Sequence, residues 1–497
     1  MPRTDDIVMR KRDGELALEL WLCRYILGMR PDESPYAKVI IVLSILGMML
    51  SACATAEELP GPIQRGDVLP QHAVRNMPVQ RQCVTLNNAE ALEQLRLSAE
   101  KGDTVSQRAL GDMYRCGRGA EPDYAAAFRW YLPAAEKGDA VAQDALGGMY
   151  YQGRSVAQDY GEAAKWLRLA AEQGIAMSQR LLGRMHFRGE GVAQDYAEAF
   201  KWFRLAAGQG DALAQTMMGT QYRFGQGVLQ DYTEALKWFR LAAEQEETFA
   251  QRAIGGAYYA GLGVVQDYAA AAKWLRLAGE KGNVASQKLL GKMSFKGQGV
   301  AQDFTEAFRW YRRAAGKGDS IAQGVIGELY YHGRGVAQDY VQAFKWFGLS
   351  AEQKNVASQH SLGEMNYRGL GVTQDYAEAA KWYRRAAEQG NAPSQIPLGS
   401  MYLQGQGVLQ DYTEALKWFR LAAEHGDAFA QWSTGRFYHR GIGVAQNYVQ
   451  AHKWLSLAKE GGNADARDDL RDVVAKMTPE QIEEAQRLAG EWRQTED

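Results

Sequence analysis

Serine, histidine and cysteine side chains that could do chemistry are present in this sequence, but their spacing does not assemble a known catalytic or metal site. No Gly-x-Ser-x-Gly, His-Glu-x-x-His or phosphate-binding loop occurs. Two Ser-x-x-Lys segments, Ser98–Lys101 and Ser456–Lys459, have the spacing of penicillin-recognising enzymes, yet both fall at predicted helices and no Lys-Thr-Gly accompanies them. The histidines occupy different phases of the repeating pattern described below. The sequence therefore predicts no catalytic residue, no metal and no cofactor.

The cysteines indicate a different kind of chemistry, that of export. Residues Val39–Leu50 form an apolar run of 12, which is too short to span a membrane and is typical of a signal-peptide core. The next residues, Leu50-Ser51-Ala52-Cys53, resemble the lipobox of bacterial lipoproteins, in which the chain is cleaved before the cysteine and the thiol is acylated. The alternative is ordinary secretory cleavage after a small residue, with Cys53 incidental.

Processing at Cys53 would leave Cys83 and Cys116 together in an oxidising compartment, where thiol pairs tend to close. A disulfide between them would join the segment after the leader to the first helices of the folded part. Met29 offers a translation start nearer the apolar run. The residue after the cysteine is Ala54, whereas Asp at this position resembles the signal that retains a lipoprotein in the inner membrane. We therefore expect an exported protein, lipid-anchored in the outer membrane and facing the periplasm or the cell surface. The lipid anchor is its only predicted membrane contact.

An acidic-aromatic dipeptide recurs through the rest of the chain at intervals of 36 residues. The ten dipeptides begin at Asp123, Asp159, Asp195, Asp231, Asp267, Asp303, Asp339, Asp375, Asp411 and Asn447. A tryptophan follows seven positions after each of them, from Trp130 to Trp454. Such regularity predicts a solenoid, because 36 residues accommodate two short helices and two loops.

Each unit is predicted to contain two amphipathic helices, which we call helix A and helix B. In one unit, helix A covers Ala140–Gln152, Asp159 caps helix B by accepting backbone N–H bonds, and Gly174 ends helix B in a left-handed conformation. The predicted buried faces are Leu146, Met149 and Tyr150 of helix A, and Ala163, Trp166, Leu167 and Ala170 of helix B.

Two residues that recur in every unit have structural explanations. A glycine inside helix A, such as Gly147, is unfavourable by about 1 kcal/mol relative to alanine. It therefore predicts a close crossing by helix B, with Ala163 opposite. The amide of Gln143 and its equivalents is expected to bridge backbone groups between helices. Neither residue is needed to explain function.

This pattern resembles the Sel-one-like repeat family, a relative of the tetratricopeptide repeat. The family consensus is followed by Ala322–Gly327, Tyr330, Gly333-Arg334-Gly335-Val336, Asp339-Tyr340, Ala343 and Trp346. The resemblance implies an all-α fold: a right-handed α/α superhelical solenoid of ten helix-turn-helix repeats with terminal capping helices. Ser155 replaces a loop glycine, and Glu246 and Lys354 replace the glycine that ends helix B. These last two are expected to loosen or re-angle the array.

The repeats divide the chain into five predicted segments. They are an export leader (1–53), a flexible tether (54–86), a capping half-repeat (87–102), ten repeats (103–462) and C-terminal capping helices (463–497). The last helix should begin at a capping box formed by Thr478 and Gln481, with Pro479 as its first residue.

Recognition is expected where the units differ, on a face of helix A away from the apolar stripe. The positions 15, 11 and 8 residues before the acidic residue share that face. In the related tetratricopeptide fold, helix A lines the concave groove. The candidate groove residues are Arg180, Arg184, Phe187, Arg223, Arg252, Tyr259, Lys288, Lys292, Phe295, Tyr331 and Tyr367. Two alternatives to a binding groove remain. In the first, the charges are only solvated and the aromatic rings only cover the gap between helices. In the second, the partner binds the lysines on the convex face, which are Lys165, Lys201, Lys237 and Lys273.

The overall charge argues against nucleic acid as the partner, because 57 Lys and Arg residues are balanced by 59 Asp and Glu residues. The resemblance implies a monomeric interaction scaffold of the cell envelope, which is not an enzyme and binds a protein or another envelope macromolecule. The alternative is an enzyme of peptidoglycan or β-lactam metabolism, as in the cysteine-rich repeat type. The resemblance to that type implies a disulfide in nearly every repeat, whereas only Cys116 lies in a repeat here. A purely structural spacer is a third possibility.

Overall fold

A computed structural model describes residues 89–117 and 121–494, all of which lie in the compact unit Pro78–Asp497. These residues form 23 α-helices and no strand. The first are α1 (Ala89–Glu100), α2 (Thr104–Cys116), α3 (Tyr124–Glu136), α4 (Ala140–Gln152), α5 (Tyr160–Glu172), α6 (Ala176–Arg188), α7 (Tyr196–Gly208), α8 (Ala212–Phe224), α9 (Tyr232–Glu244), α10 (Thr248–Ala260) and α11 (Tyr268–Glu280). The others are α12 (Val284–Lys296), α13 (Phe304–Ala315), α14 (Ser320–His332), α15 (Tyr340–Glu352), α16 (Val356–Arg368), α17 (Tyr376–Ala387), α18 (Ala392–Gln404), α19 (Tyr412–Glu424), α20 (Ala428–Arg440), α21 (Tyr448–Glu460), α22 (Ala466–Val474) and α23 (Pro479–Gln494).

The alternation of these helices confirms the all-α solenoid. The even-numbered helices from α2 to α20 are helix A of the ten repeats, and the odd-numbered helices from α3 to α21 are helix B. Each helix packs mainly against its neighbours along the chain. The lone helix α1 precedes the first repeat, and α22 and α23 follow the last. Within the described part of the chain, no helix is long and apolar enough to cross a membrane.

Side-chain caps fix where the helices begin. The Asp159 carboxylate accepts the N–H of Glu162 at 2.9 Å, and the side chain before every helix B makes the equivalent bond. Thr478 and Gln481 form the predicted capping box at α23: the Thr478 N–H donates to Gln481 Oε1 at 3.0 Å, and the Gln481 N–H donates to Thr478 Oγ1 at 3.3 Å. Because these caps are local in sequence, the prediction of helix starts was reliable.

The glycine inside helix A allows the close crossing that the sequence predicts, but its partner differs. A Cβ on Gly147 would lie 2.5 Å from Leu167 Cγ, and a Cβ on Gly183 would lie 2.9 Å from the Phe203 ring. The residue packed on the glycine is therefore the one after the tryptophan, whereas Ala163 was expected there. That residue is deeply buried, as Leu167 and Phe203 are both 0% exposed.

The repeat tryptophans join one repeat to the next. Trp202 belongs to one buried cluster with Leu182 of its own repeat and Leu167 from helix B of the preceding repeat. The buried members of the series are Trp202, Trp310, Trp418 and Trp454, and the other six are half-buried. The tryptophans are structural, as expected, although the centre of each repeat is filled by the residue after the tryptophan.

The recurring glutamine bridges helices as predicted. Gln143 Nε2 donates to the carbonyl oxygen of Ala135, at the end of the preceding helix B, at 3.0 Å. Its Oε1 accepts from Gln173 Nε2 at 2.8 Å, which brings in the next helix B. The first bond recurs at Gln107, Gln179, Gln215, Gln287, Gln323, Gln359, Gln395 and Gln431. At Gln143 both amide groups are thus satisfied where three helices meet, whereas Oε1 has no partner in the described structure at Gln107, Gln251, Gln287 and Gln395.

The three residues that replace glycines keep the left-handed backbone conformation of the glycines that they replace. Ser155, Glu246 and Lys354 keep positive φ angles of 64°, 63° and 65°. The helices that follow Glu246 and Lys354 begin at the same place in the repeat as elsewhere. The chain therefore accepts a local backbone penalty of about 1–2 kcal/mol at each residue. Loosening or re-angling of the array after Glu246 and Lys354 stays a prediction.

Three sequence-based predictions concern residues outside the described ones. They are the leader, the acylation of Cys53 and the participation of Cys83 in a disulfide. Cys116, at the end of α2, is disulfide-bonded. Its partner also lies outside the described residues, so pairing with Cys83 stays a prediction.

Candidate partner-binding surface

The eleven candidate groove residues all lie on helix A of their repeats, in α6, α8, α10, α12, α14 and α16. We call the three positions on these helices, 15, 11 and 8 residues before the acidic residue, the helix-A strip. Lys292 is exposed, and the other ten residues are half-buried. The strip is therefore a partly desolvated surface, in which ionic interactions are stronger than at a fully exposed surface.

Two of the predicted cations are neutralised within the protein. Arg180 Nε lies 3.0 Å from Asp211 Oδ2, and the Arg180 side chain is only 17% exposed. Lys288 Nζ lies 2.8 Å from Asp319 Oδ2. Each carboxylate also caps helix A of the following repeat, so these ion pairs connect adjacent repeats. The prediction that Arg180 and Lys288 are available to a partner is corrected accordingly.

The other four cations have no carboxylate partner among the residues that the structure describes. Arg184 lies with its guanidinium carbon 4.8 Å from the centre of the Tyr151 ring, and its buried Nε has no hydrogen-bond partner. Lys292 Nζ lies 5.8 Å from the centre of the Tyr259 ring. These four residues, Arg184, Arg223, Arg252 and Lys292, form what we call the open cations.

Arg252 shows why the repeats differ in this respect. It occupies the position that Arg180 and Lys288 hold in their repeats, but the residue 31 positions later is Asn283 instead of an aspartate. Asn283 still caps α12, by accepting the N–H of Ser286 at 2.9 Å, but it brings no charge. Burial lowers the pKa of Arg252, and the nearby charge of Arg223 lowers it further. The Glu247 carboxylate acts in the opposite direction, so Arg252 is a half-buried cation near a second cation and near a carboxylate with which it forms no ion pair.

The aromatic side chains of the strip close the gap between helices, as one of the alternative interpretations holds. Each packs edge-to-face on the aromatic residue that begins helix B of the same repeat, with ring centres 5.0–5.3 Å apart. The pairs are Phe187–Tyr196, Tyr259–Tyr268, Phe295–Phe304, Tyr331–Tyr340 and Tyr367–Tyr376. Tyr259 and Tyr367 also donate to Gln298 and Gln406 of the next repeat, at 3.2 and 3.1 Å. These rings are therefore a fixed wall of the strip.

An apolar border runs along the strip and was missed in the sequence. It lies three residues before the first strip position, one turn away on the same helix. Its exposed members are Met177, Leu213, Phe249 and Ile321. The 36-residue period would have revealed it, because the same position is apolar in several repeats.

The competing surface on helix B is already neutralised in part. Lys165, Lys201 and Lys237 lie 2.5, 2.8 and 2.5 Å from glutamates three residues earlier. These are exposed pairs within one helix, which stabilise it only weakly. They nevertheless reduce the positive potential on that face. Among the described residues, no group of three or more His, Cys, Asp or Glu side chains could hold a metal ion.

The repeat model that the sequence matches settles the family. Ten Sel1 repeats are matched, at residues 104–139, 140–175, 176–211, 212–247, 248–283, 284–319, 320–355, 356–391, 392–427 and 428–463. The chain belongs to the Sel1 repeat family. Sel-one-like repeat is another name for the same repeat, so the resemblance is confirmed.

Solved structures of similar proteins agree with this assignment. One is c5321, a protective antigen present in uropathogenic Escherichia coli strains, with 34% identity and a TM-score of 0.55, over 81% of this chain and 94% of that one. Another is a Sel1 repeat protein from Oxalobacter formigenes, with 34% identity and a TM-score of 0.51, over 62% of this chain and 89% of that one. A search of curated proteins finds no significant match. The Sel1 repeat fold is generally a scaffold for protein–protein interaction.

Proposed function

We propose that this Sel1 repeat protein is a cell-envelope scaffold that binds an anionic segment of a protein partner along the helix-A strip. The observation that carries the proposal is the set of four open cations beside two that are neutralised. A partly desolvated cation without a counter-charge is unfavourable, and a partner carboxylate would remove that penalty on binding. The scaffold acts as a monomer and has no nucleic-acid partner in this proposal.

The proposal is tested by changing Arg184, Arg223, Arg252 and Lys292 together to serine. Capture of the natural partner from intact envelopes should be lost, while helicity and the melting temperature stay nearly unchanged. The four side chains hold no ion pair in the described structure, so their replacement breaks no link between repeats, and the exposed Lys292 should contribute about 0.5 kcal/mol or less. Captured proteins would be identified by mass spectrometry after cross-linking. Binding by the unmodified protein should also weaken as salt rises, since the Debye length is about 8 Å at physiological ionic strength.

The matched control removes four cations from the opposite helix. Lys165, Lys201, Lys237 and Lys273 are changed to serine, so the net charge falls by the same amount. Arg180 and Lys288 are retained in both variants because they connect repeats. Recovery of the same partners by the strip variant, or their loss in the helix-B variant alone, would place recognition on helix B.

Lipid anchoring at Cys53 is a second part of the proposal, and it rests on the sequence Leu50-Ser51-Ala52-Cys53 after an apolar run. Stable anchoring needs more than one acyl chain, since each buried CH₂ contributes about 0.8 kcal/mol. In cells fed a labelled acyl precursor, the unmodified protein should be labelled and should sediment with the outer membrane. The Cys53→Ser variant should be unlabelled. Equal labelling of that variant would exclude this residue as the anchor.

A further inference from the structure

Gly256 in α10 lies at the middle position of the helix-A strip, and no packing contact requires it to be a glycine. No atom lies within 4 Å of the place where its Cβ would be. Its neighbour Gly255 is different, because a Cβ there would lie 2.7 Å from Leu275 Cγ. A glycine inside a helix is unfavourable. Gly256 therefore leaves a patch of bare helix surface that the repeat itself does not use.

Open cations surround this bare surface. Arg252 lies one turn before Gly256 on the same helix, and Tyr259 lies one turn after it. Lys292 occupies the equivalent position in the next repeat, with its Nζ 5.8 Å from the centre of the Tyr259 ring. The charge of Arg223, at the end of the preceding helix A, lowers the pKa of Arg252, and the Glu247 carboxylate raises it. The result is a notch with a backbone floor and an aromatic wall, in which three cations outnumber the single nearby carboxylate, Glu247.

The apolar border indicates what kind of anion fits. Phe249 is 37% exposed and lies under Arg252, whose guanidinium carbon is 4.4 Å from the ring centre. Leu213 is 49% exposed at the same position of the preceding repeat. A chain crossing these helices would meet apolar and cationic positions side by side. Such a surface complements a peptide with both acidic and apolar side chains better than a small inorganic anion.

We propose that the notch at Gly256 is an anchor site for a carboxylate side chain of an acidic and partly apolar peptide segment. The inference deepens the proposed function and rests on it. The carboxylate would lie over Gly256 between Arg223, Arg252 and Lys292, and an adjacent apolar side chain would cover Phe249. One carboxylate can accept charge-assisted hydrogen bonds from more than one of these cations, which gives the anchor its directionality.

Gly148 in α4 provides a matched control. It has the same position in its repeat as Gly256, and a Cβ on it would also meet no atom within 4 Å. One turn before it, however, lies Asp144, whose carboxylate accepts from Ser178 Oγ at 2.7 Å. The open surface at Gly148 thus has an acidic neighbour where Gly256 has Arg252.

The experiment fills each surface with a side chain in the otherwise unmodified mature protein. The variants are Gly256→Leu and Gly148→Leu, and the probe is a fluorescein-labelled peptide of alternating Glu and Leu. A length of roughly 12 residues spans about 40 Å when extended, enough to cross several helices. Binding is measured by fluorescence anisotropy, with melting temperatures measured in parallel. Both variants should melt no lower than the unmodified protein, since leucine is a better helix former than glycine.

We expect Gly256→Leu to weaken peptide binding by about tenfold or more, which corresponds to loss of one charge-assisted contact. Gly148→Leu should leave the affinity within about twofold of that of the unmodified protein. A peptide of alternating Gln and Leu should bind at least as weakly as the Glu peptide binds to Gly256→Leu. Competition by inorganic phosphate at millimolar concentration should be weak.

Three results would overturn the inference. They are unchanged peptide binding by Gly256→Leu, an equal loss in both glycine variants, and competition by phosphate as effective as that by unlabelled peptide. The proposed function is tested separately by the four-cation variant. If that variant loses the peptide while Gly256→Leu retains it, the strip binds anions elsewhere and only the notch is rejected.

Discussion

The Phe203→Ala variant is expected to unfold with a free energy lower by about 3–5 kcal/mol, as for other fully buried aromatic side chains. Phe203 is 0% exposed and lies on Gly183, where α6 and α7 cross. Its loss would leave a cavity in one repeat of a chain whose repeats contact mainly their neighbours. Chemical denaturation should therefore also become less cooperative, because a weakened repeat divides a one-dimensional array.

Gly183, which lies against the Phe203 ring, provides a second test of the same helix crossing. Gly183→Ala alone should lower the free energy of unfolding by about 1–3 kcal/mol, because the new methyl group would lie 2.9 Å from the ring. In the Phe203→Ala background the same change should instead be stabilising by about 1 kcal/mol, since the methyl enters empty space and alanine favours the helix.

A suitable control is Gly348→Ala in α15, where a Cβ would meet no atom within 4 Å. It should stabilise the protein by about 1 kcal/mol. The unmodified protein, the three variants and the control would be compared by denaturant titration followed by circular dichroism. Additive effects of the Gly183 and Phe203 changes would show that the two residues do not share one crossing point.

The Asp211→Ala variant is expected to lower the free energy of unfolding by about 2–4 kcal/mol. Asp211 has two roles: it accepts the N–H of Ala214 at 2.8 Å as the cap of α8, and it neutralises Arg180 at 3.0 Å. Loss of the cap accounts for about 1 kcal/mol. The remainder comes from leaving Arg180, only 17% exposed, without its counter-charge.

Asp427 separates these two roles. It caps α20 in the same way, by accepting the N–H of Ala430 at 2.8 Å, but the residue 31 positions before it is Ile396. Asp427→Ala should therefore lower stability by about 1 kcal/mol only. Asp211→Asn, which can still cap, should fall between the two alanine variants. Equal losses for Asp211→Ala and Asp427→Ala, measured by the same titration, would mean that the ion pair contributes nothing.

The ion pairs and the open cations show that one helix-A position serves two purposes. In α6 and α12 the cation at this position joins two repeats, and in α10 it remains open because the following cap is Asn283. A single-residue difference at a cap thus changes whether an arginine of the preceding repeat forms an ion pair within the stack or stays without one. The expected stability losses therefore fall on Asp211 and the helix crossing, and the expected binding losses fall on the open cations of the strip.

The sequence by itself determined the helices, their caps, the helix-crossing glycines and the glutamine bridges. These features depend on contacts that recur at a fixed spacing, so the 36-residue period reports them directly. It identified the strip as well, because helical periodicity defines a face without reference to any other helix. The loosening expected at Glu246 and Lys354 stays a prediction, because the backbone conformation of one residue does not by itself fix the angle between the helices that it joins.

Only the tertiary structure decided which cations of the strip are open. Arg180 and Arg252 occupy the same position and have the same chemistry, and helical spacing cannot distinguish them. The difference arises from the next repeat, where Asp211 meets one and Asn283 follows the other. Partly buried charges are controlled by such long-range neighbours, since the energy of a charge depends on its surroundings in space and not on its position along a helix.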